Sequence, residues 1–169
     1  MAELWDVYDK CRQKTGKTIE RGKELKSGEY HLVVHIWPLN GQGELLIQKR
    51  QEHLAWRPGI WAATGGSAVA GEDAYQAACR ELKEELGLCD REGSMEFLME
   101  FRRRDSLCSI WLFPCNVPKE ELVLQTEEVA DAKWVSRAEL EKMKADGSFY
   151  SYNYLNMLFQ KIDQRKEEF

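Results

Sequence analysis

The sequence predicts an α/β sandwich built on a mixed sheet. Two observations carry the prediction. Segments rich in β-branched and aromatic residues are interleaved with segments whose apolar residues recur at helical spacing, and a glycine-rich turn leads directly into the clearest of the helices. The chain of 169 residues suits one domain, residues 1–169, which buries a core without help from metal or disulfide. Apolar residues make up 43% and charged residues 31%, a balance that sets aside membrane-spanning and disordered classes.

Tyr30 to Trp37 (YHLVVHIW) reads as a strand. Asn40-Gly41-Gln42-Gly43 is a turn and Glu44 to Arg50 a second strand, so the two are expected to pair as a hairpin. A loop with Pro58-Gly59 follows, then the pair Gly65-Gly66. From about Glu72 to Leu86, the residues Ala74, Ala77, Ala78, Leu82 and Leu86 define one amphipathic helix, closed by Gly87. Met95 to Phe101 and Leu107 to Cys115 read as two more strands, and Lys133-Trp134-Val135 as a short one. Ser136-Arg137-Ala138-Glu139 is a capping-box start for a helix reaching about Lys144. Phe149 to about Arg165 is expected to be the last helix, with Leu155, Leu158, Phe159 and Ile162 on one face.

The net charge of −5 argues against general binding to duplex nucleic acid or anionic membranes, both of which need a basic footprint. It leaves room for a small phosphorylated ligand held by a few local cations. Five scattered cysteines without a two-residue spacing read as reduced, structural thiols rather than a metal or redox motif. The first residues show no basic segment followed by an apolar one, and no apolar run approaches the ~20 residues of a membrane span, so a cytoplasmic protein is expected.

The chemistry is concentrated in Gly66 to Leu88, GSAVAGEDAYQAACRELKEELGL. Glu81, Glu84 and Glu85 stand at i, i+3 and i+4, so their carboxylates share one helix face while Leu82 and Leu86 fall on the other side. Arg80 precedes them and lies at i, i+4 to Glu84. Carboxylates this close repel unless a cation sits among them, and oxygen donors without His or Cys suit Mg²⁺, with Mn²⁺ as the alternative. The glycines before the helix let backbone approach a ligand closely, and the helix N-terminus favours an anion.

Gly66, five residues, Glu72, seven residues, Arg80-Glu81-Leu82, one residue, Glu84-Glu85, one residue, Gly87-Leu88 resembles the Nudix box at every specified position. Chance agreement is on the order of one in a hundred million per start site. Leu4 to Asp9, Glu29 to Leu32, Gln48-Lys49-Arg50 and Pro58-Gly59-Ile60-Trp61 extend the likeness toward the branch of Nudix proteins related to isopentenyl-diphosphate isomerase. The resemblance implies a Nudix-type α/β/α sandwich and a hydrolase that attacks a nucleoside diphosphate linked to a further group X with metal-activated water. It implies that Glu81, Glu84 and Glu85 are metal ligands, that Arg80 orients a carboxylate of the cluster, and that Glu72 ties the glycine loop to the helix. It also implies a further downstream acid, for which Glu127 and Glu128 are the candidates, and Arg50 is a candidate phosphate contact.

Two rival readings accompany this one. An isomerase of that branch uses a catalytic cysteine in the loop that here reads Trp61-Ala62-Ala63-Thr64-Gly65-Gly66, and a histidine where this chain has Ser67 and Ala68; both are absent. A non-catalytic nucleotide-binding module is disfavoured by the intact glutamates. His31 matches a further family histidine but reads more simply as a core residue. Arg102-Arg103-Arg104 and the aromatics Trp37, Trp61, Trp111, Tyr152 and Tyr154 are secondary candidates for substrate contact. The expected partner is a small-molecule diphosphate; the oligomeric state is left open, a dimer among the alternatives.

Overall fold

A single strand, β3 (His31–Leu39), organises the protein by pairing on both edges and packing on both faces. The computed structural model describes residues 1–167. Along the chain stand β1 (Leu4–Tyr8), β2 (Lys14–Glu20), β3, β4 (Leu45–Arg50), β5 (Trp61–Ala62), β6 (Thr64–Ser67), α1 (Ala74–Leu86), β7 (Glu96–Arg102), β8 (Ser106–Pro114), β9 (Val129–Val135), α2 (Arg137–Asp146) and α3 (Leu155–Glu167). The main sheet has seven strands in the order β5-β4-β3-β8-β7, with β6 also on β3 and β9 also on β4. The β3–β8 pairing is parallel and the others are antiparallel, so the sheet is mixed, as the sequence predicts.

Both faces of β3 are covered, which is why its sequence is nearly continuously apolar. Leu32, Val34 and Ile36 pack with Ala77, Ala78, Leu82 and Leu86 of α1. Trp37 and Leu39 join Leu140 of α2 and Leu155, Leu158, Phe159 and Ile162 of α3 in the core on the other face. Helices therefore flank the sheet on both sides, giving the α/β/α sandwich. Among the described residues no helix is long and apolar enough to cross a membrane, and all five thiols are free.

Four local expectations need correction. The expected hairpin is a true turn, with the Asn40 side chain accepting from the N–H groups of Gln42 and Glu44, but β3 and β4 pair only at Leu39 and Leu45. Beyond that point β6 occupies the edge of β3, and β4 takes β5 and β9 as neighbours instead. The first helix starts at Ala74 rather than Glu72, because Asp73 forms a capping box with Gln76; Gly87, at φ 70°, ends it as expected. The short strand expected at Lys133-Trp134-Val135 is longer, beginning at Val129.

The last helix begins at Leu155, not Phe149. The residues before it instead run beside β5, where Phe149 bridges to Trp61 and the Tyr150 N–H donates to the Trp61 carbonyl at 2.9 Å. Tyr150, Tyr152 and Tyr154 have a period of two, the strand-like signal that the aliphatic spacing downstream obscures. The hairpin of β1 and β2 has no counterpart in the sequence reading; it lays Trp5 flat on His31, ring centroids 4.1 Å apart, and so covers that histidine.

Candidate active site

The loop formed by β6 and the residues up to Asp73 delivers two glycines against α1. A Cβ at Gly65 would overlap the Val34 carbonyl, so glycine is required there, and one at Gly66 would displace the Glu81 carboxylate from its place beside the loop. The three box glutamates are not equivalent. Glu81 and Glu85 are 9% and 4% exposed, whereas Glu84 stands in solvent at the rim. The buried arc of α1 contains these two carboxylates as well as Leu82 and Leu86, so the clean division between carboxylate and apolar faces expected from spacing does not hold.

Arg80 gathers the loop and the helix. Its Nε and Nη2 donate to the two oxygens of Glu72 at 2.6 and 3.1 Å, its Nη1 to Glu81 Oε1 at 2.9 Å and Glu84 Oε2 at 3.1 Å, and Nη2 also to the Ser67 carbonyl at 3.0 Å. Glu72 in turn accepts the Val69 N–H at 2.9 Å. Released from the helix by the Asp73 cap, Glu72 joins loop to helix through Arg80, the arrangement that the resemblance implies.

Glu85 is held from the opposite side. Its Oε2 accepts Gln48 Nε2 at 2.7 Å and the Gly65 N–H at 3.2 Å. Gln48 Nε2 also donates to the Ala63 carbonyl at 3.3 Å, while the Ala63 N–H donates to the Tyr152 hydroxyl at 3.1 Å. Gln48 is 3% exposed and its Oε1 has no partner. Sequence reasoning missed Gln48 and Tyr152 as supports of the site. The available signal is an amide in the otherwise apolar start of β4, since a buried polar group must find a partner.

Of Glu127 and Glu128, Glu128 is the one whose charge reaches the buried carboxylates. Burial, then the charges of Glu84 and Glu128, push the Glu81 carboxyl up to about 7 against the pull of Arg80. Burial likewise pushes Glu85 well above the usual carboxylate range, helped by Glu81 and Glu128 and opposed by the Gln48 and Gly65 hydrogen bonds. The segment carrying Glu128 is fixed to the end of α1, where Val123 and Gln125 donate to the carbonyls of Leu86 and Glu85 at 3.1 and 3.2 Å.

The secondary candidates divide. Arg50 donates from Nε to the Trp56 carbonyl at 2.9 Å and lies over the Trp56 ring. Trp37, Tyr152 and Tyr154 are core residues, and His31 is buried under Trp5. Arg102 and Arg103 pack over Tyr30 and Phe101. Trp61 is half-buried under Lys133, and Trp111 lies against Tyr75 and Phe97.

The raised carboxyls carry a pH signature. A carboxyl whose folded-state pKa is raised stabilises the fold when protonated and loses that contribution as pH climbs from its unfolded value through its folded one. His35, driven down to about 3 by burial, acts in the opposite sense below its ordinary value of 6.5. The clean window therefore opens at pH 6.5 and runs upward through about 7, where Glu81 titrates, into the raised range of Glu85. Metal-free protein is expected to lose melting temperature across this window, and Glu85→Gln to flatten the slope; calorimetric melts at several pH values check it. An equal slope in the variant counts against the buried-carboxyl origin.

Among the described residues no three His, Cys, Asp or Glu side chains already converge as a metal cage, because Arg80 draws Glu81 and Glu84 toward itself. The donor chemistry nonetheless fits a hard divalent cation: buried Glu81 and Glu85 and the rim carboxylate Glu84 offer oxygen donors, with one guanidinium, Arg80, held by Glu81 and Glu84.

A glycine loop clamped to a helix bearing buried carboxylates, on an α/β/α sandwich, defines a class of pyrophosphohydrolases. The NUDIX domain profile matches residues 29–155. The chain belongs to the Nudix hydrolase family. An uncharacterized Nudix hydrolase of Listeria monocytogenes is 40% identical over 158 residues, covering 93% of this chain and 94% of that protein. A solved Deinococcus radiodurans protein superposes with a TM-score of 0.76 at 19% identity, covering 94% of this chain and 98% of that one. The NUDIX domain of Shewanella oneidensis NrtR, solved in complex with ADP ribose, superposes with a TM-score of 0.60 at 18% identity, covering 83% of this chain and 90% of that one.

Proposed function

We propose that this protein, working as one domain over residues 1–169, hydrolyses the diphosphate linkage of a small molecule of the nucleoside diphosphate-X type, with Mg²⁺ or Mn²⁺ held by Glu81, Glu84 and Glu85 and supported by Glu128. The observation that carries the reading is the pair of buried carboxylates, Glu81 and Glu85, whose like charges meet beside a glycine loop, Glu81 bound by Arg80 and Glu85 by Gln48 and the Gly65 N–H. ADP ribose, the ligand of the Shewanella domain, is a molecule of this substrate type.

When bound, the ion would polarise phosphoryl oxygens and make a water acidic. The chain's own groups do the rest. Arg80 fixes Glu81 and Glu84, while Gln48 and the Gly65 N–H occupy one oxygen of Glu85 and leave the other oxygen for the ion. One of the three glutamates would also accept the proton of the attacking water.

The N-terminal likeness supports placing the chain in the branch related to isopentenyl-diphosphate isomerase, but with hydrolysis as its reaction. The loop from Trp61 to Gly66 offers no thiol, and buried Cys108 lies among Trp37 and Tyr154 in the core away from α1. Incubation with Mg²⁺ and a panel of diphosphate compounds is expected to release phosphate or nucleotide from at least one, and to stop in EDTA. Isopentenyl diphosphate is expected to yield no dimethylallyl diphosphate. Clear isomer formation, or silence across the nucleoside diphosphate-X compounds, overturns the reading.

A further inference from the structure

One rim of the site carries aromatic surface and unpaired positive charge that the carboxylate chemistry leaves unused. Arg50 lies two residues beyond Gln48 on β4, so both side chains leave the same face of the strand, and Gln48 is the residue that holds Glu85. The loop that follows is stitched to the Glu128 segment, with the Gln51 N–H donating to the Glu128 carbonyl at 2.9 Å and its side chain to the Thr126 carbonyl at 2.8 Å. It then turns through Arg57 and Gly59, both at positive φ (48° and 69°), and presents Trp56 with 50% of its surface in solvent.

A ladder of stacked groups runs across this loop. The Arg50 guanidinium lies 4.9 Å over Trp56, the Tyr150 ring is 5.1 Å from that of Trp56, and the Arg57 guanidinium lies 5.4 Å over Tyr150. Neither arginine forms an ion pair among the described residues. A single exposed tryptophan is unremarkable on a protein surface. Two unpaired arginines stacked on aromatic rings, in a chain of net charge −5 and beside its carboxylate centre, ask for an aromatic anion.

We propose that Trp56 and Tyr150, flanked by Arg50 and Arg57, form the seat for the base of a nucleoside diphosphate. This rests on the hydrolase reading above and deepens it. The base stacks on the open part of Trp56, and phosphate oxygens on their way to Glu85 meet the terminal nitrogens of Arg50, whose Nε alone is engaged by the Trp56 carbonyl. Because every base has a π-face, such a seat selects nucleosides over non-nucleoside diphosphates rather than one base over another.

Calorimetric titration with α,β-methylene-ADP and with methylenediphosphonate, both in Mg²⁺, separates the seat from the phosphate site without turnover. Trp56→Ala is expected to weaken the nucleotide analogue roughly tenfold or more, the range of base–aromatic stacking, and to leave methylenediphosphonate unchanged. Trp56→Phe keeps a ring and should bind the analogue within a few-fold of the parent, yet lose the tryptophan quenching that the parent shows on binding it. Equal weakening of both ligands by Trp56→Ala, no weakening, or quenching that persists in Trp56→Phe overturns the proposal. Failure of the hydrolase reading would show separately, as an absence of hydrolysis across the diphosphate panel whatever the binding result.

Discussion

Glu84→Gln combined with Glu85→Gln is expected to lower turnover roughly a thousandfold or more, by analogy with removing a main electrostatic stabiliser, while leaving the fold intact. The carboxamides keep the shape of the carboxylates. In particular, the carbonyl oxygen of glutamine at position 85 can still accept from Gln48 Nε2 and the Gly65 N–H. What disappears is charge and, on the proposed mechanism, the ability to hold a divalent ion. Glu85 is buried and its ionised form is disfavoured there, so neutralising it removes a cost in the metal-free protein. Each like-charge pair at helical spacing adds about 0.2–0.5 kcal/mol of repulsion that the double variant also loses. The metal-free variant should therefore melt at or above the parent. Mg²⁺ should raise the melting temperature of the parent alone, since only its folded state binds the ion well. A solvated glutamate face predicts no change in turnover and the same response to Mg²⁺ in both proteins. Near-parental turnover on a substrate from the panel would remove these two residues from the mechanism.

How much of this was legible in the sequence depended on how local the signal was. The helix, its closing glycine and the Arg80-Glu81-Glu84 contacts follow from spacing within one segment, while Glu85 is bound from the other side. The capping box at Ser136 and Glu139 is equally local and is present. Long-range pairing was not legible. Nothing in the turn at Asn40 reveals that β6 takes the edge of β3 that β4 was expected to occupy. Gln48 gained its role only when β4 was laid beside Ala63 and Glu85, 15 and 37 residues away in sequence. Apolar spacing along α3, extended backward over an alternating tyrosine run, places Tyr152 in a helix, whereas the helix begins at Leu155. The polar strand β2 (KTGKTIE) carries almost no hydrophobic pattern and is held as an outer hairpin strand by β1, so periodicity could not find it.

Arg80→Met should separate the structural from the chemical use of positive charge at this site. The guanidinium is 26% exposed at its side chain and binds Glu72, Glu81, Glu84 and the Ser67 carbonyl together. Removing it leaves Glu81 buried without its charged partner and cuts the link from Glu72 to the helix. Loss of one member of a buried ion pair costs about 3–5 kcal/mol, and partial exposure places this case near the lower figure. At the size of this chain that is a fall in melting temperature of about 6–12 °C in EDTA. Arg80→Lys should recover little, because a point charge on a flexible stem cannot reproduce a fork that meets several acceptors at once. Turnover should fall at least about a hundredfold in both variants, since the carboxylates lose the group that sets their positions. Metal makes the comparison decisive. On the proposed mechanism, Arg80 and a divalent ion compete for Glu81 and Glu84 in the parent, whereas in Arg80→Met only the ion can neutralise them. The rise in melting temperature on adding Mg²⁺ should accordingly be larger in Arg80→Met than in the parent, the reverse of the pattern expected when Glu84 and Glu85 are neutralised. A variant as stable as the parent in EDTA, or one that gains nothing from Mg²⁺, would show that Arg80 neither compensates these carboxylates nor shares them with a metal.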